Sequence, residues 1–308
     1  MGTSDKSKII IGIHGLGNKA PKEILSRWWR AAIDEGFRNT GKENIFCNFD
    51  LFYWADILNE SPLDPDEKDP LHPLYLNEPY LPSKSYPQKK PGGLKKTFLD
   101  ILESIMDKVF LNEDMTINFS SITDVILKKY FSDLNKYYTD KFVDNTGQEM
   151  LLKEIIRERM GVLLDKHRQK QILLIAHSMG AIIAYDVLLY SRPNIWVDTF
   201  VTMGSPLGLP VVMAKSIAEL KSNNHSESRL TTPENIATNW YNLADLQDKV
   251  AINYNVSDDY DENSQHVRAR DITVVNNYEH MGEKNHHKIY GYLRTPELAE
   301  ILHTFFQQ

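Results

Sequence analysis

Ser178 lies in the stretch "LLIAHSMGAIIAYDV" (173–187), between an aliphatic run and an apolar, helix-like pattern. A serine at such a junction has two readings. As a helix N-cap it needs only its own oxygen, which accepts from a backbone N–H of the first turn. As a nucleophile on a sharp strand-to-helix turn, it also needs neighbours without bulk two residues before and two after. Those positions hold Ala176 and Gly180. The turn would lift the hydroxyl above the sheet edge and place the Met179 N–H at a helix N-terminus, where it can stabilise an oxyanion. The small neighbours and the aliphatic run favour the nucleophile.

A serine hydroxyl attacks poorly unless a histidine takes its proton and a carboxylate orients that histidine. The chain carries 10 histidines. A base placed after the last strand and before the terminal helix leaves His280, His286 and His287. The acid belongs after the penultimate strand, where "NWYNLADLQDKVA" offers Asp245 and Asp248. Position alone separates neither the two histidines at 286 and 287 nor the two aspartates. His14 is expected to bond loop backbone. His177 should point away from Ser178 across the tight turn.

Strands and helices must alternate to position these groups. "KIIIGIH" (8–14), "NIFCNFDLFYWAD" (44–56), "QILLIAH" (171–177), "WVDTFVTMG" (196–204), "ATNWYNLAD" (237–245) and "DITVVNN" (271–277) read as strands. Their near-continuous apolar character fits burial on both faces. Helical patterns separate them at 21–37, 149–167, 179–191 and the C-terminus. The sequence predicts an α/β fold with a mostly parallel sheet covered on both sides.

One stretch interrupts this alternation. Residues 57–147 far exceed an ordinary connection. Residues 58–93 hold eight of the 14 prolines, which rules out regular structure there. Two amphipathic patterns follow, one with Leu94, Phe98, Leu102, Ile105 and Val109 in a stripe, the other at 122–138. The expected organisation is a core of 1–56 and 148–308, with 57–147 as a proline-rich arm and helical cap or lid whose inner face forms an apolar pocket above Ser178. The segment "MGSPLG" (203–208) is expected to line the floor of that pocket.

The chain resembles the α/β-hydrolase superfamily on its lipase and esterase side. "IIGIHGLGN" resembles the first-strand oxyanion loop of lipases, and "AHSMG" resembles the alanine-for-glycine elbow of the small Bacillus-type lipases. "HGLGNKAPKEILSRWW", "FYWAD", "WYNLADLQDKVA" and "NHHKIYGYLRTPELAEIL" resemble a bacterial group of that superfamily. The order serine, acid, histidine is also the α/β-hydrolase order. The resemblance implies Leu16 as the second oxyanion donor beside Met179. It favours His287, through Asn285-x-His287 followed by Gly-Tyr-Leu, and Asp248, through the valine two residues on. The implied activity is hydrolysis of a carboxylic ester through Ser178, His287 and Asp248, with no cofactor. A thioesterase, phospholipase or acyltransferase would use the same set, and a non-catalytic binding scaffold would keep only the fold.

Composition narrows the partners. A net charge of -7 argues against general nucleic-acid binding. The single cysteine, Cys47, allows no internal disulfide and suits a reducing, cytoplasmic setting. No apolar run reaches membrane-spanning length. The basic segment 88–96 beside an apolar pattern could touch an anionic membrane, and a small-molecule ester with an apolar portion is the expected substrate. The acidic loop 257–263 lacks the full spacing of an EF-hand and reads as a solvated turn rather than a calcium site.

Overall fold

A computed structural model describes residues 7–42, 48–83, 108–123, 125–143, 147–222, 229–251 and 255–308. Six strands form the central sheet: β1 Lys8–Ile13, β2 Phe49–Phe52, β3 Gln171–His177, β4 Val197–Met203, β5 Ile236–Ala244 and β6 Ala269–Thr273. Their spatial order is β6-β5-β4-β3-β1-β2, and every pairing is parallel. This is an α/β-hydrolase fold.

Burial on both faces explains the unbroken apolar strands. Along β1, Ile9, Ile11 and Ile13 face one apolar cluster and Ile10 faces the other. In β3, Ile172 and Leu174 join the first cluster while Leu173 and Ile175 join the second. Helices α2 (Val125–Thr139), α3 (Leu152–His167), α4 (Met179–Asp186) and α5 (Pro210–Ser222) cover the first face. Helices α1 (Lys22–Asn39), α6 (Ile289–Leu293) and α7 (Pro296–Gln307) cover the second.

Three sequence expectations shift. Among the described residues the second strand is Phe49–Phe52; 44–47 lie outside them, and the strand stops short of 56 because Trp54 turns inward to bond His14 and Ala55–Ile57 forms a 3-10 turn. The helix expected from 149 starts at Leu152, since Glu149–Leu151 pairs antiparallel with Lys141–Val143. The last strand ends at Thr273, and Asn276 beyond it is drawn to the Asp245 carboxylate.

Of the insertion, the arm to Ser83 and the part from Lys108 are described. Leu94, Phe98, Leu102 and Ile105 lie outside the described residues, as does the basic segment 88–96. The second amphipathic pattern is α2, whose Phe131, Leu134 and Tyr137 enter the first core cluster. A buried polar network fixes it there: Tyr137 donates to Asp186 of α4 at 2.9 Å, and Arg157 of α3 pairs with Asp186 and with Glu219 of α5. The helix that follows Ser178 and α2 therefore share one anchor. Among the described residues, no helix is long and apolar enough to cross a membrane. No group of three or more metal-ligating side chains occurs among them either, and residues 256–261 form a helical turn and a short strand instead.

Candidate active site

Chain order reverses between β1 and β3, so the loops leaving these two strands diverge at their carboxyl ends. In open parallel sheets a cleft forms at such a point. Leu16 leaves β1 there, and Ser178 leaves β3.

Ser178 has φ 55° and ψ -127°. A non-glycine residue with positive φ carries strain of order 1–3 kcal/mol. The turn closes only because its neighbours are small. A Cβ at Gly180 would lie 2.7 Å from the Ile13 carbonyl oxygen, and one at Gly15 would lie 2.8 Å from the Ser178 Cβ. The Ser178 side chain makes no capping hydrogen bond to α4. Its Oγ instead lies 3.0 Å from His287 Nε2.

His287 Nδ1 is 2.8 Å and 2.9 Å from the two Asp248 oxygens. An ionised carboxylate can only accept, so Nδ1 carries the proton and the Nε2 lone pair faces Ser178. Burial pushes Asp248 up. The His287 ring, its hydrogen bond, the Tyr292 hydroxyl and the Val250 N–H outweigh burial and hold it below the ordinary carboxylate range. Tyr292 Oη donates to Asp248 at 2.7 Å and accepts the Asp245 N–H at 3.1 Å. Gly204 backs the pair closely enough that a Cβ there would lie 2.8 Å from Asp248 Oδ2.

The neighbouring candidates form a pair of their own. His286 Nδ1 lies 3.3 Å from Asp245, whose carboxylate also accepts the N–H groups of Gln247 and Asn276. His287 carries the contact to Ser178. His280 sits in the hairpin Glu279–His280 with Glu283–Lys284, away from these contacts.

The two histidines near the turn bond backbone. His14 Nδ1 donates to the Gly15 carbonyl at 2.8 Å, Nε2 accepts the Trp54 N–H at 3.0 Å, and the two rings stack. Burial, then Lys19, lower its pKa to about 3, so it stays neutral. His177 Nε2 donates to the His287 carbonyl at 2.8 Å and so supports the loop that carries that ring. Burial, then His287, hold His177 well below the usual imidazole value.

A cavity of about 1120 Å³ opens over Ser178 and His287, and Leu16 is on its wall. Met179 is fully buried in the first turn of α4. The arm contributes Leu63 and Leu76, and α2 contributes Tyr130. "MGSPLG" is not part of the lining; Gly204 sits behind Asp248 and His287 instead.

Sequence reasoning missed two supporting residues. Lys19 places its ammonium on the carbonyls of Leu16 and Gly17, which ties the β1 loop together. Glu78, from the arm, accepts from Asn285 at 2.6 Å and from Lys288 at 3.1 Å. Asn285 Oδ1 in turn accepts the His287 N–H at 2.9 Å. No periodicity or spacing could reveal Glu78, because its place depends on how a non-periodic arm folds.

Comparison with protein families matches residues 103–287 to the PGAP1-like alpha/beta domain. The chain belongs to this family. The family is part of the α/β-hydrolase superfamily, which agrees with the sheet described above. The matched range includes Ser178, Asp248 and His287 but begins after the β1 loop. A comparison with curated proteins found no match.

Proposed function

We propose that this PGAP1-like chain is a serine hydrolase that cleaves a carboxylic ester through an acyl-enzyme intermediate. The observation that carries the reading is the contact of His287 with Ser178 on one side and Asp248 on the other. Ser178 Oγ attacks the ester carbonyl carbon while His287 Nε2 takes its proton. The N–H groups of Leu16 and Met179 stabilise the oxyanion. Collapse of the tetrahedral intermediate breaks the ester C–O bond, and the alcohol leaves with the proton from His287. Water then attacks the acyl-enzyme by the same route. Asp248 remains ionised and holds the imidazole tautomer. No cofactor or metal is required.

The 57–147 insertion acts in this reading as a cap over the site, with the substrate's apolar portion lying in the cavity. The single Cys47 supports a cytoplasmic setting. A panel of p-nitrophenyl esters of increasing acyl length, run beside thioester and phospholipid substrates, tests the activity. Turnover of the carboxylic esters supports the reading. A chain that turns over none of them, and whose Ser178 resists fluorophosphonate, is a binding scaffold.

A further inference from the structure

The β1 loop has one N–H group to hold still. In the esterase reading the Leu16 N–H stabilises the oxyanion, yet Leu16 stands between Gly15 and Gly17, and Gly17 has φ 81°. Gly15 is needed because the loop passes against the nucleophile: a Cβ there would lie 2.8 Å from the Ser178 Cβ. Glycine leaves the backbone more conformational freedom than any other residue. A donor flanked by two glycines therefore needs support from outside the loop's own backbone.

Side chains supply that support at three successive carbonyls. His14 Nδ1 donates to the Gly15 carbonyl at 2.8 Å. Across a trans peptide the N–H lies opposite the carbonyl, so this bond sets the plane of the Leu16 N–H. It leaves the chain after Leu16 free to turn. Lys19 closes that side: its Nζ donates to the Leu16 carbonyl and to the Gly17 carbonyl, the latter at 3.0 Å, and the Asn18 carbonyl lies 3.5 Å away. Among the described residues, the hydrogen-bond partners of this Nζ are carbonyls of the loop and no carboxylate. The Lys19 backbone is itself anchored to the arm, since its carbonyl accepts the Leu63 N–H at 2.8 Å. Burial, then Lys288 and Lys129, lower its pKa to about 7, and either protonation state keeps N–H groups for both carbonyls.

We propose that Lys19 is a positioning residue for the oxyanion hole, which holds the Leu16 N–H beside Ser178 by pinning the Leu16 and Gly17 carbonyls. This rests on the esterase reading above. A preorganised donor stabilises the transition state because nothing has to rearrange as charge develops on the ester carbonyl oxygen. Without Lys19 the two glycines let the loop sample other conformations, and the donor must be ordered during the reaction. A neutral ester carbonyl accepts weakly and an oxyanion strongly, so the loss falls on kcat more than on KM. Acylation and deacylation both pass through an oxyanion, so either rate-limiting step responds.

The test uses Lys19→Met, which keeps an unbranched stem without donors, and Lys19→Arg, which keeps donors, both in the full chain. Two readouts are paired: kcat and KM for p-nitrophenyl butyrate, per site titrated with fluorophosphonate, and Ki for propyl trifluoromethyl ketone. Ser178 Oγ adds to the ketone carbon, His287 takes the proton and the ketone oxygen becomes an oxyanion, so this Ki reports on the hole. Lys19→Met is expected to lower kcat about tenfold to a hundredfold, with KM changed a few-fold at most, and to weaken the ketone by the same factor. Lys19→Arg should recover part of both losses. Should Lys19→Met not fold, Lys19→Gln, whose amide has a shorter reach, should show the same paired loss. A fall in kcat with unchanged ketone affinity, a change in KM alone, or a lowered Tm with unchanged kcat would each overturn the assignment. If the wild-type chain hydrolyses no ester and fluorophosphonate leaves Ser178 unlabelled, the esterase reading falls and this assignment with it. Wild-type turnover with unaffected variants removes Lys19 alone.

Discussion

His287 Nε2 and Ser178 Oγ lie 3.0 Å apart although 109 residues separate them in the chain. Two independent supports converge on this contact. The elbow fixes Ser178 through β3 and α4. The loop before α6 fixes His287 through Asp248, His177 and Asn285. Removing the attacking oxygen should therefore abolish chemistry without disturbing either support. Ser178→Ala is expected to lose ester turnover and fluorophosphonate labelling while unfolding within about 1 kcal/mol of wild type. Persistent labelling would move the nucleophile elsewhere.

The two acid–histidine pairs predict a ranking. His287→Ala and Asp248→Asn should each cost about three to four orders of magnitude in kcat, because the tautomer and the proton acceptor are lost. His286→Ala and Asp245→Asn leave the contact with Ser178 intact. Asp245→Asn should mainly lower stability, since the Asp245 carboxylate accepts the N–H groups of Gln247 and Asn276. A reversed order within either pair, measured in steady-state kinetics, would transfer the role to the neighbour.

The displaced pKa of Asp248 predicts a signature in stability against pH. Its folded value lies below the unfolded value of about 3.9. Its stabilising contribution is therefore fully present above about pH 4 and is lost as pH falls through the folded value. Urea unfolding of wild type and Asp248→Asn should differ most near neutrality, with the gap narrowing below about pH 4. A gap that stays constant down to pH 3 would mean that the fold does not hold this carboxylate in its charged form.

The sequence made some of this arrangement legible and hid the rest, for physical reasons. The β3–Ser178–α4 unit could be read because a strand buried on both faces must be continuously apolar and its tight turn must have small neighbours. The second strand ends at Phe52 rather than 56, since aromatic residues continue past the point where Trp54 turns onto His14. Asp245 and Asp248 could not be separated by position, as both follow β5 within one turn. What distinguishes them is tertiary: each meets a different one of two adjacent histidines, and only one of those rings contacts the serine. The α2 helix showed in its amphipathic spacing, whereas the brace from Glu78 had no local signature.

That brace carries its own prediction. Glu78 lies in the insertion, yet it holds Asn285 and Lys288, which flank the two histidines of the loop. Burial raises its pKa, but Lys288 and Asn285 outweigh burial, so the carboxylate stays charged. Glu78→Ala should lower kcat by about tenfold with a smaller change in KM, by loosening the backbone that presents His287. Glu78→Gln keeps an acceptor for the Asn285 amide and should recover part of the loss. If the alanine variant changes only KM, Glu78 contacts substrate and does not position the loop.

The arm also contributes walls. Leu63 and Leu76 line the same cavity as Ser178, and both come from a segment with no regular structure. Loop residues on a rigid core commonly set specificity, since their side chains can change shape without disturbing the sheet. If the arm shapes the acyl pocket, Leu63→Ala and Leu76→Ala should move the preferred acyl length of an ester panel towards longer chains, as the lost methyl groups leave added space. Neither side chain belongs to the two apolar clusters that stabilise the sheet, so losses in Tm should be small. The decisive quantity is the ratio of kcat/KM between a short and a long acyl ester. An extra buried methylene is worth about 1 kcal/mol, so the ratio should change by roughly fivefold for each methylene newly accommodated. Variants that keep the wild-type ratio, whatever their Tm, would show that the arm covers the site without measuring the chain.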